Sequence, residues 1–561
     1  MKFLGYEPVF LASWKEHTQS SVMADAMAGI IVGIVALPLA IAFAIASGVS
    51  PEKGIITAVL AGLIISVFGG SRVQIGGPTG AFIIIVYGII EQYGFDGLMV
   101  ATIMAGAFLV LLGFLKLGTI IEYIPYPITV GFTAGIALTI FTTQVKDLLG
   151  LTIANMPSNF IDKWVVYAHS LNSINWWSAA VGLLSIVIIT NTKRFSKKIP
   201  GSLVAIVVMT VGAWALQRYA GVDTIETIGD RFVITAKLPE LSLPHIDFAT
   251  LRGLMAPAFT IALLGAIESL LSATVADGVS GDHHDSNAEL IGQGMANMLV
   301  PLFGGIPATG AIARTMTNIN NGGSSPIAGI VHAIMLLLIF LFMMPLAQYI
   351  PMSCLAGVLV VVAYNMSGWR TCAALLKTPK SDIAVLVITF LLTVIFDLTI
   401  AIQVGLLMAC LLLMRRVAEI TGVSLITDKI NLRDETDVLL DRKYLEIPDE
   451  VEVYEIYGPY FFGMGNKFEE LMANLGEKAK VRIIRMRKVP FIDSTGLHNL
   501  AAMIKQSEKE GIQVVLSGVL PSVEQVLLKA NFDQRLGREN ICSHINLALE
   551  RAKQIVEASK K

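Results

Sequence analysis

The sequence predicts an α-helical polytopic membrane protein of fourteen membrane segments, followed by a small soluble α/β domain. Three observations predict it. Of 561 residues, 54% are hydrophobic and only 15% charged, against about 25% charged in soluble domains. Charge is sparse between residues 26 and 414 outside short loops, then dense from Arg415 to the last residue. Such a step marks the boundary between a membrane body and a soluble tail. Within the body, two stretches rich in Gly and Pro recur in the same order, which points to a duplicated unit.

A spanning helix needs about 20 apolar residues. Charge-free runs cover 26–51, 54–71, 73–90, 97–115, 123–145, 164–192, 199–217, 253–267 continuing past Glu268, and 290–313. The run 315–369 is long enough for two spans and a short helix, and 383–396 and 398–414 close the body. Two segments are short and broken, at Gly76-Gly77-Pro78-Thr79-Gly80 and at Phe303-Gly304-Gly305-Ile306-Pro307-Ala308-Thr309-Gly310. Gly and Pro cannot hold a regular helix there. Extended backbone at membrane depth is tolerated only where protein buries it or where it lines a cavity.

Basic residues follow the sixth segment (Lys193, Arg194, Lys197, Lys198), the twelfth (Arg370, Lys377, Lys380) and the fourteenth (Arg415, Arg416). All follow even-numbered segments, so by the positive-inside rule both termini and the tail are expected on the cytoplasmic side of the inner membrane. The loop 218–252 then faces outward.

The repeat has a nearly constant offset. Gly48-Val49-Ser50 recurs as Gly278-Val279-Ser280, Phe68-Gly69-Gly70 as Phe303-Gly304-Gly305, and Thr79-Gly80-Ala81 as Thr309-Gly310-Ala311, at offsets of 230 to 235. Tyr123-Ile124-Pro125 recurs as Tyr349-Ile350-Pro351 and Gly131 as Gly357, both at 226. Seven segments per unit is an odd number, so the halves (about 23–220 and 253–417) must lie upside down relative to each other. Inverted repeats with broken helices are a pattern of secondary transporters, whose site lies where the repeats meet. The expected domains are an N-terminal segment 1–22, a membrane domain 23–417, a linker 418–434 and a tail domain 435–561. The tail alternates strand candidates (451–457, 481–486, 514–516) with helix candidates (466–474, 496–508, 522–530).

Thr79 and Thr309 each stand where a half-helix begins, and Gly80, Gly310 and Ala311 follow them. Two such N-termini facing each other offer free N–H groups and the positive ends of two helix dipoles, which suits an anion. The plainer alternative is a pair of packing kinks. Three charges lie inside the apolar runs: Glu268, Arg314 and Asp397. Each needs a reason, since a charge at the bilayer centre costs about 2.5–3.5 kcal/mol on insertion scales. Asp397 fits a short exposed turn. Arg314 lies one turn into the second half-helix and either strengthens the site's positive field or pairs with Glu268. Glu268 beside an anion site must be neutralised, and a bound proton or Na⁺ would do so. His332 reads as a satisfied core residue, and Asp282-His283-His284-Asp285 as a solvated loop. Four scattered cysteines form no metal or redox pattern. No nucleophile–base pair appears, so no enzyme is expected. A formal net charge of −2 offers no field for nucleic acid. In the tail, Ser494 fits either a helix N-cap or a phosphorylation or docking point.

Several of these motifs belong together. Ala36-Leu37-Pro38 with Ala46-Ser47-Gly48, Gly69-Gly70-Ser71-Arg72 through Gly80, Gly265-Ala266-Ile267-Glu268-Ser269, Asn297 through Pro307, and Ala313-Arg314 resemble the SulP anion transporters. Asp493-Ser494-Thr495-Gly496 resembles the turn of a STAS domain. The resemblance implies two inverted seven-segment repeats, a core and a gate moving as an elevator, a homodimer, and a cytoplasmic STAS domain with a possible protein partner. It places the anion at Thr79, Gly80, Ala311 and Arg314, with Leu39 and Phe43 from the first segment. It places a coupling cation, H⁺ or Na⁺, on Glu268 and Ser272, with no other cofactor. Many family members have Gln where this chain has Leu39. An apolar residue there leaves room for a carbon chain, and the resemblance is strongest to carriers of four-carbon dicarboxylates. Bicarbonate or sulfate transport, an uncoupled anion channel or exchanger, and a membrane-bound signalling protein are the alternative expectations.

Overall fold

The structure, a computed structural model, describes residues 6–13, 19–121, 125–153, 156–157, 159–195, 200–234, 237, 239–244, 248–396, 398–426, 429–431, 444–462 and 479–559. Asp397, Tyr123, Ile124, Lys197, Lys198 and the tail helix expected at 466–474 lie outside these residues. The chain divides into two compact units, Met1–Ala409 and Cys410–Lys561.

Each expected membrane segment coincides with a helix or half-helix. The first four are Gln19–Ala46, Pro51–Phe68, and the two parts of Ile83–Phe114, which breaks at Gly94 with φ 70°. Tyr126–Leu149, Trp176–Phe195 and Gly201–Ala220 complete the first repeat. The second contains Phe248–Ser280, Ser286–Leu299, Ile312–Asn320, Pro326–Met343, Met352–Met366, Lys380–Ile395 and Leu398–Ile420. The run 164–192 is not one span: Phe160–His169 is a separate short helix before Trp176. Among the described residues, eight stretches are long and apolar enough by themselves to cross a membrane. The ninth, tenth and thirteenth segments are too short to qualify alone.

Packing reveals the duplication more clearly than sequence identity does. The first segment packs on the eleventh, and its mate, the eighth, packs on the fourth. The sixth packs on the twelfth, and the thirteenth on the fifth. The second meets the ninth, and the fifth meets the twelfth. These pairings map onto themselves when each segment is exchanged with the one seven places on. Repeat-related glycines make the close approaches. A Cβ on Gly131 would lie 2.7 Å from the Leu386 carbonyl of the thirteenth segment. A Cβ on Gly357 would lie 2.8 Å from the Gly182 carbonyl of the sixth. Segments one to four with eight to eleven form one bundle, and five to seven with twelve to fourteen a second.

In the tail, five strands lie in the order Gly422–Ile426, Val451–Tyr457, Val481–Lys488, Gln513–Ser517, Ile541–Cys542. The first pair is antiparallel and the rest parallel. Ser494–Lys509 and Pro521–Lys529 cover one face through Leu500, Met503 and Leu527, while Ile545–Ala558 covers the other through Ala548, Leu549 and Ala552. Burial on both faces suits Val481, Ile483 and Ile484, while the buried Arg482 between them pairs with Glu452 at 3.4 Å. The expected linker 418–434 needs correction. The fourteenth segment continues to Ile420, and Gly422–Ile426 is the edge strand of the tail's sheet. A five-residue strand whose partner lies about 30 residues on leaves little local signal.

Candidate functional site

The two glycine-rich breaks meet. Gly76–Gly77 and Thr309–Gly310 pair as antiparallel strands, Gly76 opposite Gly310 and Gly77 opposite Thr309. Ala311 N–H extends the ladder to the Ile75 carbonyl at 3.0 Å. Extended backbone at this depth leaves polar groups that no helix satisfies, and side chains of both repeats, most of them from the opposite one, take them up. Thr57 accepts from Ile306 N–H at 2.8 Å, and Asn297 binds both the N–H and the carbonyl of Ala308 at 2.9 and 2.8 Å. In return, Thr315 accepts from Ile75 N–H at 3.1 Å, and Asn318 donates to the Val73 carbonyl at 3.0 Å.

Directly after each strand a helix starts. Gly80–Phe82 opens the third segment with one tight turn behind Thr79, and Ile312–Asn320 opens behind Ala311. Neither start has a side-chain cap, so the first-turn N–H groups have no side-chain acceptor of their own. Gly80 and Gly310 are buried, and Ala311 is half-buried.

Arg314 is 2% exposed. Its guanidinium lies across the first strand and donates to the carbonyls of Pro78 at 3.0 Å and Gly76 at 3.5 Å. A Cβ on Gly77 would collide with Arg314 Nη1, which is why glycine stands there. Arg314 and Glu268 do not pair. Glu268 accepts instead from the Thr79 hydroxyl, at 3.0 Å on Oε2. Ser272, one turn beyond Glu268, directs its hydroxyl to Thr315 at 3.4 Å rather than to the carboxylate. The repeat-related threonines differ in the same way: Thr309 is fully buried and donates to the Gly265 carbonyl at 2.9 Å. Thr309 therefore braces the strand pair against the eighth segment, while Thr79 touches the acid.

Apolar residues close the other side. A Cβ on Gly80 would lie 3.5 Å from Phe43 Cε1, and Leu39 stands one turn before Phe43, half-buried. The structure thus brings Phe43, Thr79, Gly80, Glu268, Gly310, Ala311 and Arg314 around one place.

Glu289 escaped the sequence reading. It directly precedes the charge-free run of the ninth segment and is fully buried. Its oxygens accept from Gly70 N–H at 2.9 Å, Ser71 N–H at 3.1 Å, Gln74 Nε2 at 2.8 Å and Gln293 Nε2 at 2.7 Å. It holds the turn that delivers the first strand, and only the tertiary fold reveals those donors. The loop 281–285 is more ordered than a solvated connection. His284 bridges Asp277 at 2.7 Å and Ser286 at 3.1 Å, and Asp285 caps the ninth segment. No group of three or more potential metal ligands occurs among the described residues. His332 is buried, its ring against Gly62. Ser494 is exposed and is not the cap of its helix; Asp493 is, accepting from Gly496 N–H at 2.7 Å.

Comparison with known proteins agrees with this geometry. Residues 22–389 match the model of the sulfate permease family, and 443–548 match the STAS domain. The chain is 40% identical over 501 residues to the Bacillus subtilis protein named "Putative sulfate transporter YvdB", covering 89% of this chain and 92% of that one. It is 29% identical to the bicarbonate transporter BicA of a Picosynechococcus species, covering 88% of each. Among solved structures, SLC26A9 superposes with a TM-score of 0.85 over 98% of this chain and 93% of that one, at 17% identity. The transmembrane domain of a cyanobacterial BicA gives 0.61 over 70% of this chain and 98% of that one, at 27% identity. The facing half-helices and the helix-covered sheet of the tail are thus parts of one known architecture, and the chain belongs to the sulfate permease (SulP) family of membrane anion transporters, with a C-terminal STAS domain.

Proposed function

We propose that this chain couples uptake of small carboxylates, four-carbon dicarboxylates in particular, to entry of H⁺ or Na⁺ through Glu268. The observation that carries the reading is the bond from Thr79 to Glu268 Oε2. Thr79 is the residue from which the third half-helix starts, so the carboxyl group of Glu268 reports directly on the place where an anion would sit. Anion and cation occupancy are then linked, and the linkage is reciprocal. Arg314, unpaired with Glu268, supplies positive field to the anion from the other repeat. Leu39 and Phe43 offer an apolar wall to a carbon chain. The core bundle would carry the site past the gate bundle as an elevator in a homodimer of the inner membrane. Both termini and the STAS domain would lie in the cytoplasm, with Ser494 as a modification or partner-docking point.

A second reading, bicarbonate or sulfate as substrate, is favoured by the relatives named above. Uptake of labelled succinate, sulfate and bicarbonate into liposomes under imposed proton or Na⁺ gradients separates these readings. Concentrative succinate uptake is the expected result, lost in Glu268→Gln while exchange persists. Accumulation of sulfate or bicarbonate alone would install the second reading. Accumulation by Glu268→Gln equal to wild type would show that coupling lies elsewhere.

A further inference from the structure

The offset of 226 that carries Gly131 onto Gly357 also carries Ile140 onto Met366. These two repeat-related residues of the gate bundle converge on one point of the core bundle. A Cβ on Gly80 would lie 3.3 Å from Ile140 Cδ1 and 3.0 Å from Met366 Sδ. Two positions exchanged by a two-fold operation can touch the same point only if that point lies near the axis. Gly80 qualifies, because it directly follows the strand pair in which the two repeats meet.

Local structure suits the two residues to this place. Ile140 sits in the fifth segment and is fully buried. Met366 is the last residue of Met352–Met366; Gly368 then takes φ 51° and the helix resumes at Trp369. The twelfth segment is therefore broken beside the half-helix start, and a flexible, half-buried thioether fills the break. Neither side chain gives an anion a hydrogen bond, so an ion moving off the half-helix toward the gate bundle finds no replacement for its hydration at Ile140 or Met366.

We propose that Ile140 and Met366 form an apolar seal between the bundles, against which Gly80 slides and which excludes water and ions from the route between them. Hydrophobic constrictions of this kind gate by dewetting. Methionine at one position lets the contact deform as the half-helix passes and close again behind it. The inference rests on anion transport by the family fold and on the proposed movement of the core bundle past the gate, and is independent of which anion is carried and of the role of Glu268.

The test uses the full-length chain in liposomes. Chloride flux is driven by a potassium gradient with valinomycin, and uptake is followed for whichever of labelled succinate, sulfate or bicarbonate the wild type carries. Ile140→Ala/Met366→Ala is expected to raise chloride leak at least about tenfold, the effect of roughly one 1.4 kcal/mol step in a barrier. Met366→Leu, which keeps the volume, is expected to behave as wild type. A double variant with wild-type elution on size exclusion and wild-type leak overturns the proposal. If that variant does not fold, Met366→Ala alone decides: it is expected to raise chloride leak above wild type, and a folded Met366→Ala protein with wild-type leak overturns the seal even if the wild type carries none of the three labelled anions.

Discussion

Replacing Arg314 with alanine removes both the positive field of the site and a brace of its scaffold. The guanidinium is buried and held by two carbonyls of the opposite repeat, so it stays in place whether or not an anion is present. A unit charge about 6 Å from an anion, at an effective dielectric constant of about 20, contributes about 2.8 kcal/mol. That corresponds to roughly a hundredfold in Kd. Removing the side chain also leaves the carbonyls of Gly76 and Pro78 without donors, and each hydrogen bond to a charged group is worth about 1.5–3 kcal/mol. Arg314→Ala should therefore weaken binding of every transported anion about a hundredfold, and should also lower the melting temperature through the loss of both hydrogen bonds. Arg314→Lys separates the two effects: one ammonium keeps the charge but cannot span two carbonyls as a planar fork does. It should recover most of the affinity and little of the stability. Binding is measured by titration calorimetry in detergent, and stability by thermal unfolding followed on size exclusion. Unchanged affinity of a folded Arg314→Ala protein for every transported anion would refute the argument and leave Arg314 a brace.

Other substitutions test other parts. Thr79→Val keeps the shape, removes the donor to Glu268, and should reduce accumulation in a gradient-driven uptake assay more than it reduces exchange. Glu289→Gln sets an NH₂ group among four donors, and should cost about 2–4 kcal/mol, read as loss of folded protein on size exclusion. Gly131→Val and Gly357→Val should each destabilise by about 1–3 kcal/mol through overpacking against the facing carbonyl. Gly212→Ala, which meets open space, should leave the melting temperature unchanged. Ser494→Glu should change the transport rate in liposomes without altering the melting temperature, because the helix keeps its Asp493 cap; equal rates would remove Ser494 as a control point.

Much of this arrangement is legible in the amino-acid sequence. Gly and Pro at 76–80 and 304–310 forbid a helix whatever surrounds them, so both breaks could be placed from local chemistry alone. The triplet repeat then supplied the two-fold relation, and the antiparallel pairing of Gly77 with Thr309 is its direct consequence. What was not legible depends on partners distant in sequence. The role of Glu289 depends on Gly70 and Gln74, 219 and 215 positions away. Ser272 looked like a companion of Glu268 because both lie on one helix face, but Thr315 competes for it. The edge strand Gly422–Ile426 looked like a linker because its pairing partner follows a long excursion. Local conformational rules bind within a few residues; competition among hydrogen-bond partners is decided only when the chain is folded.

The two halves share a backbone and differ in chemistry, and that difference bears on mechanism. If Thr79 and Thr309 both met carbonyls, the site would hold an anion equally from either repeat, and nothing in it would sense a cation. Only the first repeat's threonine meets an acid, and that acid stands on the eighth segment, where the offset of 230 puts Pro38 in the other half. Arg314, the cation among the site's described residues, likewise belongs to the second half, and it reaches across to the first strand. Both charged groups of the site thus come from the second repeat and act on the start of the first repeat's half-helix. On the proposed elevator reading, the backbone symmetry would let the core adopt two related orientations against the gate. The placement of the charges gives the two helix starts different tasks, one beside the acid and one carrying the base. On the proposed reading, the anion then bridges them only while Glu268 is neutralised, which is the condition for coupled rather than free passage.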